Sequence, residues 1–300
     1  MGKSSVVFML SSALVSLSAM ADGGDDLKSY LGSNLASKAQ SSVANKLEGL
    51  TDNLEVTITG LENGKPSYSL VKVQELVDDL ANGNVLFLQA SLSRADDRST
   101  GNIGLGYRKL VADNTLIFGI NGFYDNEWTY KHERASLGFE LLSSLGDIRY
   151  NQYWALSDIE VGKDSVLERA LDGYDAELAL PLPYLPTTKV HAKTFAYDGN
   201  GSSIEVEGQT YSLRSSLPWG FTLEAGSTTY NQAIRDQDFV SLSLNISFGS
   251  QGGSSSHTPL ISDYAYQLSP IEDRRFEKVR RSNTITKERA GAAVVTVIGV

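Results

Sequence analysis

A 300-residue chain without cysteine holds no disulfide framework, no zinc–thiolate site and no cysteine nucleophile. Its net charge of −10 and the lack of a basic, aromatic-lined groove argue against a nucleic-acid binder. The length suits one all-β barrel as well as one or two soluble domains, so the patterning has to decide.

The N-terminus reads as a secretory signal over residues 1–21. Lys3 gives a short basic start, Val6–Leu17 is an apolar run softened by serines, and Ala19-Met20-Ala21 is a small-x-small cleavage pattern ahead of Asp22. Losing Lys3 with this leader takes the net charge from −10 to −11. Leu27, Leu31, Leu35, Ala39, Val43 and Leu47 then recur every four residues, which predicts an amphipathic helix within 22–52. After the leader no run of about 18 apolar residues occurs, so a transmembrane helix is not expected.

From Leu54 onward the period changes to two. Leu54, Val56 and Ile58 alternate with Glu55 and Thr57, and Asn63-Gly64 marks a hairpin turn. The pattern places strands at 53–60, 66–73, 84–94, 101–110, 115–125, 132–142, 147–157, 172–181, 188–198, 204–216, 220–231 and 238–249, twelve in all. Alternate connections are short or proline-marked, at Val111–Asn114, Ser143–Gly146, Leu182–Pro186 and Leu217–Trp219. The other set includes the long polar Asp158–Ala170 and the Gly-rich Asp198–Ser203. An even strand count with short turns at one end and longer loops at the other is the outer-membrane pattern. The 74–83 connection breaks it by being long on the short-turn side.

The last strand, Asp238–Gly249, alternates most strictly. Val240, Leu242, Leu244, Ile246 and Phe248 share one face, and Ser241, Ser243, Asn245 and Ser247 the other. In a barrel the apolar set meets lipid, Leu244 is expected in mid-bilayer and Phe248 at the interface.

The opposite faces of other strands carry charge and glycine. Asn102, Gly104, Gly106 and Arg108 oppose Ile103, Leu105 and Tyr107; Gly119, Asn121, Phe123 and Asp125 oppose Phe118, Ile120 and Tyr124. Arg134, Ser136, Gly138 and Glu140 oppose Ala135, Leu137 and Phe139, and Asp175 and Glu177 oppose Tyr174 and Leu178. A soluble core could not hold such a face, whereas a barrel lumen can, with opposite charges paired across it. The fold expected is a twelve-stranded antiparallel transmembrane β-barrel, over residues 53–249.

These residues also carry a family resemblance. Asn102-x-Gly104-x-Gly106-x-Arg108, Gly119-x-Asn121-x-Phe123-Tyr124-Asp125 and Arg134-x-x-x-Gly138-x-Glu140 resemble the β-domain of the intimin/invasin inverse autotransporters. So do Asn151-x-Tyr153, Glu168-Arg169, Gly173-Tyr174-Asp175 and Leu182-Pro183-x-x-Pro186, and Arg275–Ile285 is similar to that family's linker. The resemblance implies a periplasmic N-terminal helix and an outer-membrane barrel. It also implies a linker, within 250–300, that passes out through the lumen to display a C-terminal passenger. Membrane lipid, barrel-assembly machinery and periplasmic chaperones are the implied partners, with Leu244, Ile246 and Phe248 in the strand that carries the assembly signal. No cofactor is implied, and a homo-oligomer is left open. The usual row of immunoglobulin-like domains has no counterpart within these residues, and Ala292–Val300 reads as an orphaned first passenger strand.

The candidate lumen charges are Arg108, Arg134, Arg149, Lys193 and Arg214, against Asp125, Glu140, Asp175, Glu177 and Glu224. Most are expected to pair among themselves, and those acids within reach are expected to hold linker residues Arg274, Arg275, Lys278, Arg280 and Arg281. Two lumen-facing glycines, Gly104 and Gly106, are expected to leave room for the linker. His132, His191 and His257 lack metal-ligand spacing and read as ordinary surface residues, with His132 at a loop rim. The Asp198–Ser202 tip departs from a calcium loop, with Ser203 and Gln209 where glycine and a closing acid belong. Three functions compete: a non-enzymatic translocator, a porin-like or structural barrel plugged by its tail, and a rim hydrolase using His132. The hydrolase lacks a base placed beside a nucleophile or water and an orienting group.

Overall fold

The computed structural model describes residues 53–60, 66–198, 205–231, 235–246, 259–289 and 292–294. The expected leader with Ala19 and Ala21, the helix within 22–52, the 199–204 tip, Phe248 and His257 lie outside the described residues. Among the described residues there is no α-helix, and none long and apolar enough to cross a membrane; short 3-10 turns occur at Lys163–Ser165, Pro218–Gly220 and Glu272–Arg274.

Twelve antiparallel strands close into a barrel. In chain order, with two short loop strands numbered among them, these are β1 (Leu54–Thr59), β2 (Ser67–Asp79), β3 (Asn84–Ala95), β4 (Arg98–Val111), β5 (Leu116–Glu127), β6 (His132–Ser143) and β7 (Gly146–Ala155). The loop strands β8 (Glu160–Val161) and β9 (Leu167–Ala170) precede β10 (Asp172–Leu182), β11 (Leu185–Asp198), β12 (Glu205–Ser216), β13 (Phe221–Tyr230) and β14 (Gln237–Ile246). Each barrel strand pairs with its neighbour along the chain, and β1 closes on β14 from Leu54↔Ile246 to Thr59↔Ser241. Closure gives every barrel strand a neighbour on both sides, although the end of β2 beyond Val73 runs past β1 and pairs with β3 alone.

The two-residue period sets which face is which. Ile103, Leu105, Phe118, Phe139 and Ile148 point outward and are each about half exposed, while Asn102, Arg108, Asp125 and Arg134 on the alternate face are buried. This inversion of the soluble pattern is stable only where the outside is lipid.

One rim carries tight turns at 80–83, 112–115, 144–145, 183–184 and 217–220, together with both ends of the barrel chain. The expected long connection at 74–83 is not there. β2 runs on to Asp79 through a bulge between Glu75 and Val77, because residues 77–79 continue the ladder to 84–86. Only Leu80–Gly83 turns, with Gly83 at φ +65, where a Cβ would strike the Leu110 carbonyl oxygen. The opposite rim holds the loops, but its β3–β4 link is only Asp96 and Asp97, both with positive φ. Aspartate tolerates that conformation, so the link shrinks to two residues and both strands lengthen.

The Asp158–Ala170 loop is not plain coil. It contributes β8 and β9 to a four-stranded sheet of order β16-β15-β9-β8, completed by β15 (Lys287–Arg289) and β16 (Ala292–Val294).

Candidate functional site

The lumen is filled by the chain's own residues 271–287, and the contacts progress from the turn rim to the loop rim. At the turn rim the Ile271 amide donates to the Asn114 carbonyl at 2.8 Å. Arg274 forks onto Asp147 (2.8 and 3.0 Å), and Arg275 donates to Asp78 at 2.9 Å. Arg108, wholly buried, pairs with Glu140 at 2.6 Å and turns its Nη1 to the carbonyls of Arg275 (2.8 Å) and Glu277 (2.7 Å).

Deeper in, Lys278 reaches Glu55 (2.6 Å) and the Val279 amide donates to Gln89 (2.7 Å). Arg280 lies between Glu177 (3.1 Å) and Glu224 (3.4 Å). The next residue, Arg281, forks onto Asp125 (2.9 and 2.6 Å), its guanidinium 4.5 Å from the Phe123 ring centre. Asp125 also takes Arg134 (2.8 Å) and Asn102 (2.7 Å), and both donors extend to linker carbonyls at Ser282 and Asn283. Charge-assisted and forked bonds of this kind are the strong ones, and they fix geometry as well as energy.

At the loop rim Leu171 donates to the Thr286 carbonyl at 3.0 Å, and Lys287 is bonded to Glu127. Arg98 bridges Glu127 (2.9 Å) and Glu168 (2.7 Å). β15 pairs with β9, Lys287↔Ala170 to Arg289↔Glu168. Burial opposes ionisation of Glu168, yet the Arg98 hydrogen bond and charge, with His132 and Lys287 beside it, outweigh this and hold its carboxyl below 4.5.

All ten candidate lumen charges face inward, but they separate into classes. Arg108–Glu140, Arg134–Asp125, Arg149–Glu177 and Arg214–Glu224 pair within the wall. Of the five candidate acids, Asp125, Glu177 and Glu224 also hold linker arginines. Asp175 accepts instead from Asn151 (2.7 Å) and Tyr153 (2.6 Å), which in turn hold the linker backbone. Lys193 has no ion pair within 4.0 Å among the described residues.

The structure corrects the sequence reading in four places. Gly104 and Gly106 do not make room for the linker directly. A Cβ there would strike the rings of Phe123 and Phe87, on which Arg281 and Arg108 lie. Two of the three histidines are not surface residues: His132 is buried 3.3 Å from Glu168, and His191 is buried 3.3 Å from Glu177. Both sit at inward positions, where the alternation hides them. Five further acids that meet the linker, Glu55, Asp78, Asp147, Glu127 and Glu168, are absent from the sequence-derived set because they lie near strand ends or in the loop. The lumen is also partly apolar: Ile271, Phe276 and Val279 pack with Val73, Val85, Phe87, Leu110, Ile117, Phe123 and Leu142. Among the described residues no group of three His, Asp or Glu side chains is arranged to hold a metal.

The family model for the inverse autotransporter β-domain matches residues 9–283. An attaching and effacing protein homolog of Escherichia coli (strain K12) is 34% identical over 109 residues, 34% of this chain and 35% of that protein. Invasin of Yersinia enterocolitica is 30% identical over 117 residues, 38% of this chain and 14% of invasin. The match therefore spans well under half of either relative. A membrane protein solved in a study of in-meso crystallization has the same fold, with TM-score 0.66 at 20% identity over 79% of this chain and 99% of the other. With its closed barrel and lipid-suited outer face, the chain belongs to the inverse autotransporter β-domain family of the bacterial outer membrane.

Proposed function

We propose that this barrel is a non-enzymatic translocator that carries its own C-terminal segment to the cell surface. One observation carries the reading: residues 271–289 contact inward side chains in rim-to-rim order, with five linker cations on barrel acids. Short turns face the periplasm in such barrels and loops face outward. Because β14 ends at the turn rim, a chain leaving it must re-enter the lumen to reach the loop rim, where β15 lies.

On this reading residues 1–21 are removed at Ala19–Ala21, and 22–52 stay on the periplasmic side. Barrel-assembly machinery and periplasmic chaperones handle the unfolded chain on its way to the membrane. The segment beyond Arg289 is displayed, and adhesion belongs to whatever passenger it joins.

An epitope tag fused after Val300 tests this. Antibody should bind it on intact cells. A tag reached only after the outer membrane is permeabilised would overturn export and leave a barrel plugged by its tail. Deleting residues 250–300 should raise single-channel conductance, since the filling segment is gone.

A further inference from the structure

The outer wall carries a trough across β4 to β7 that the lumen chemistry does not use. Tyr107, Ile120, Phe139 and Tyr150 stand in one cross-strand row, each paired in register with the next. Lys109, Phe118, Leu141 and Ile148 form the next row toward the turn rim, again in register. Between them the backbone at Gly119 and Glu140 floors a groove of about 390 Å³, lined almost wholly by apolar atoms. Tyr174 stacks on Tyr150 at 6.0 Å and extends the wall.

The trough has one charged end. Lys109 Nζ donates to the Asn82 carbonyl (2.6 Å) and Asn84 Oδ1 (3.0 Å), which anchors it at the turn rim. An ammonium has three protons, so one is left to donate. Asp79, the acid of that turn, is engaged by the Asn82 side-chain amide at 2.9 Å, and no described carboxylate lies within 4.0 Å of Nζ. A cation at the interface above an apolar trough matches a lipid phosphate above its acyl chain, and the trough is continuous with the lipid-facing wall.

We propose that this trough binds one phospholipid of the periplasmic leaflet, its phosphate on Lys109 and one acyl chain between the two rows. The site rests on the barrel's membrane setting and not on export, so failure of the tag experiment leaves it standing.

Native mass spectrometry of the full-length barrel, titrated with dioleoyl phosphatidylglycerol, tests it. Lys109→Gln should weaken retention of the first lipid about fivefold, with Lys109→Arg restoring it. Leu141→Trp, which fills the trough, should weaken it as much, while Leu213→Trp on another outward position should not. Heat-modifiable mobility checks that each variant is folded. Equal retention in all variants, or loss in only one of Lys109→Gln and Leu141→Trp, would overturn the site. A dimer in place of bound lipid, abolished by Leu141→Trp, would overturn it in favour of a second copy of the chain.

Discussion

Asp125 shows how a single lumen acid holds wall and linker together. It lies at 0% exposure and accepts from Arg281, Arg134 and Asn102, which come from the linker, β6 and β4. Removing one partner from a buried pair leaves a charge short of compensation, at a cost of ~3–5 kcal/mol. Asp125 keeps Arg134 when Arg281 is lost, so Arg281→Met should fall at the low end, ~3 kcal/mol. The loss should show as a lower temperature for the heat-modifiable mobility shift. Lys193→Met should change stability by no more than ~0.5 kcal/mol, because its cation pairs with nothing within 4.0 Å among the described residues. Equal shifts in both would mean that the linker pair contributes nothing specific.

At the scale of elements, β14 and the loop sheet each make a prediction. The sequence places Leu244 in mid-bilayer, but Leu244 pairs with Phe221, the first residue of β13, and so lies near the turn rim. Leu242, paired with Leu223 and Ile58, is nearer the middle. A lipid-facing Arg costs ~2–4 kcal/mol at the midplane and ~0–1 near an interface. Leu242→Arg should therefore block insertion where Leu244→Arg only weakens it, measured as the heat-modifiable fraction in membranes. The loop sheet depends on Glu168, which faces Arg98, His132, Lys287 and Arg289. Its carboxyl is held below 4.5, so its stabilisation is fully present above that value and is lost as pH falls through the lower folded value. Hydrogen-exchange protection at residues 167–170, corrected for the intrinsic rate at each pH, should fall in that acid window, and Glu168→Gln should lower it at neutral pH.

For the whole molecule, the lumen segment is a counter-charge as well as a filling. Its cations Arg274, Arg275, Lys278, Arg280 and Arg281 face Asp147, Asp78, Glu55, Glu177 and Asp125. Deleting residues 250–300 leaves those acids lining water, and an acid-lined pore concentrates cations. The open channel should be cation-selective, read as the sign of its reversal potential in a potassium chloride gradient. Anion selectivity would mean that the remaining wall arginines dominate the lumen.

Local pattern by itself determined the barrel. Alternation at Ile103, Leu105 and Tyr107 against Asn102, Gly104 and Arg108 sorts every side chain to one of two faces, and a two-residue period needs no tertiary information. The inward direction of Arg108, Asp125 and Glu177 was legible for that reason, and the linker's basic run marked its acidic counterpart. Only the tertiary structure decided which acid meets which arginine. Barrel tilt and stagger set the height of each strand in the lumen, so Glu55 on β1 and Glu177 on β10 come to hold linker residues two apart. The same closure buried His132 and His191 and turned the Asp158–Ala170 loop into a sheet edge for β15. Those outcomes depend on distances across a closed wall, which a sequence period does not contain.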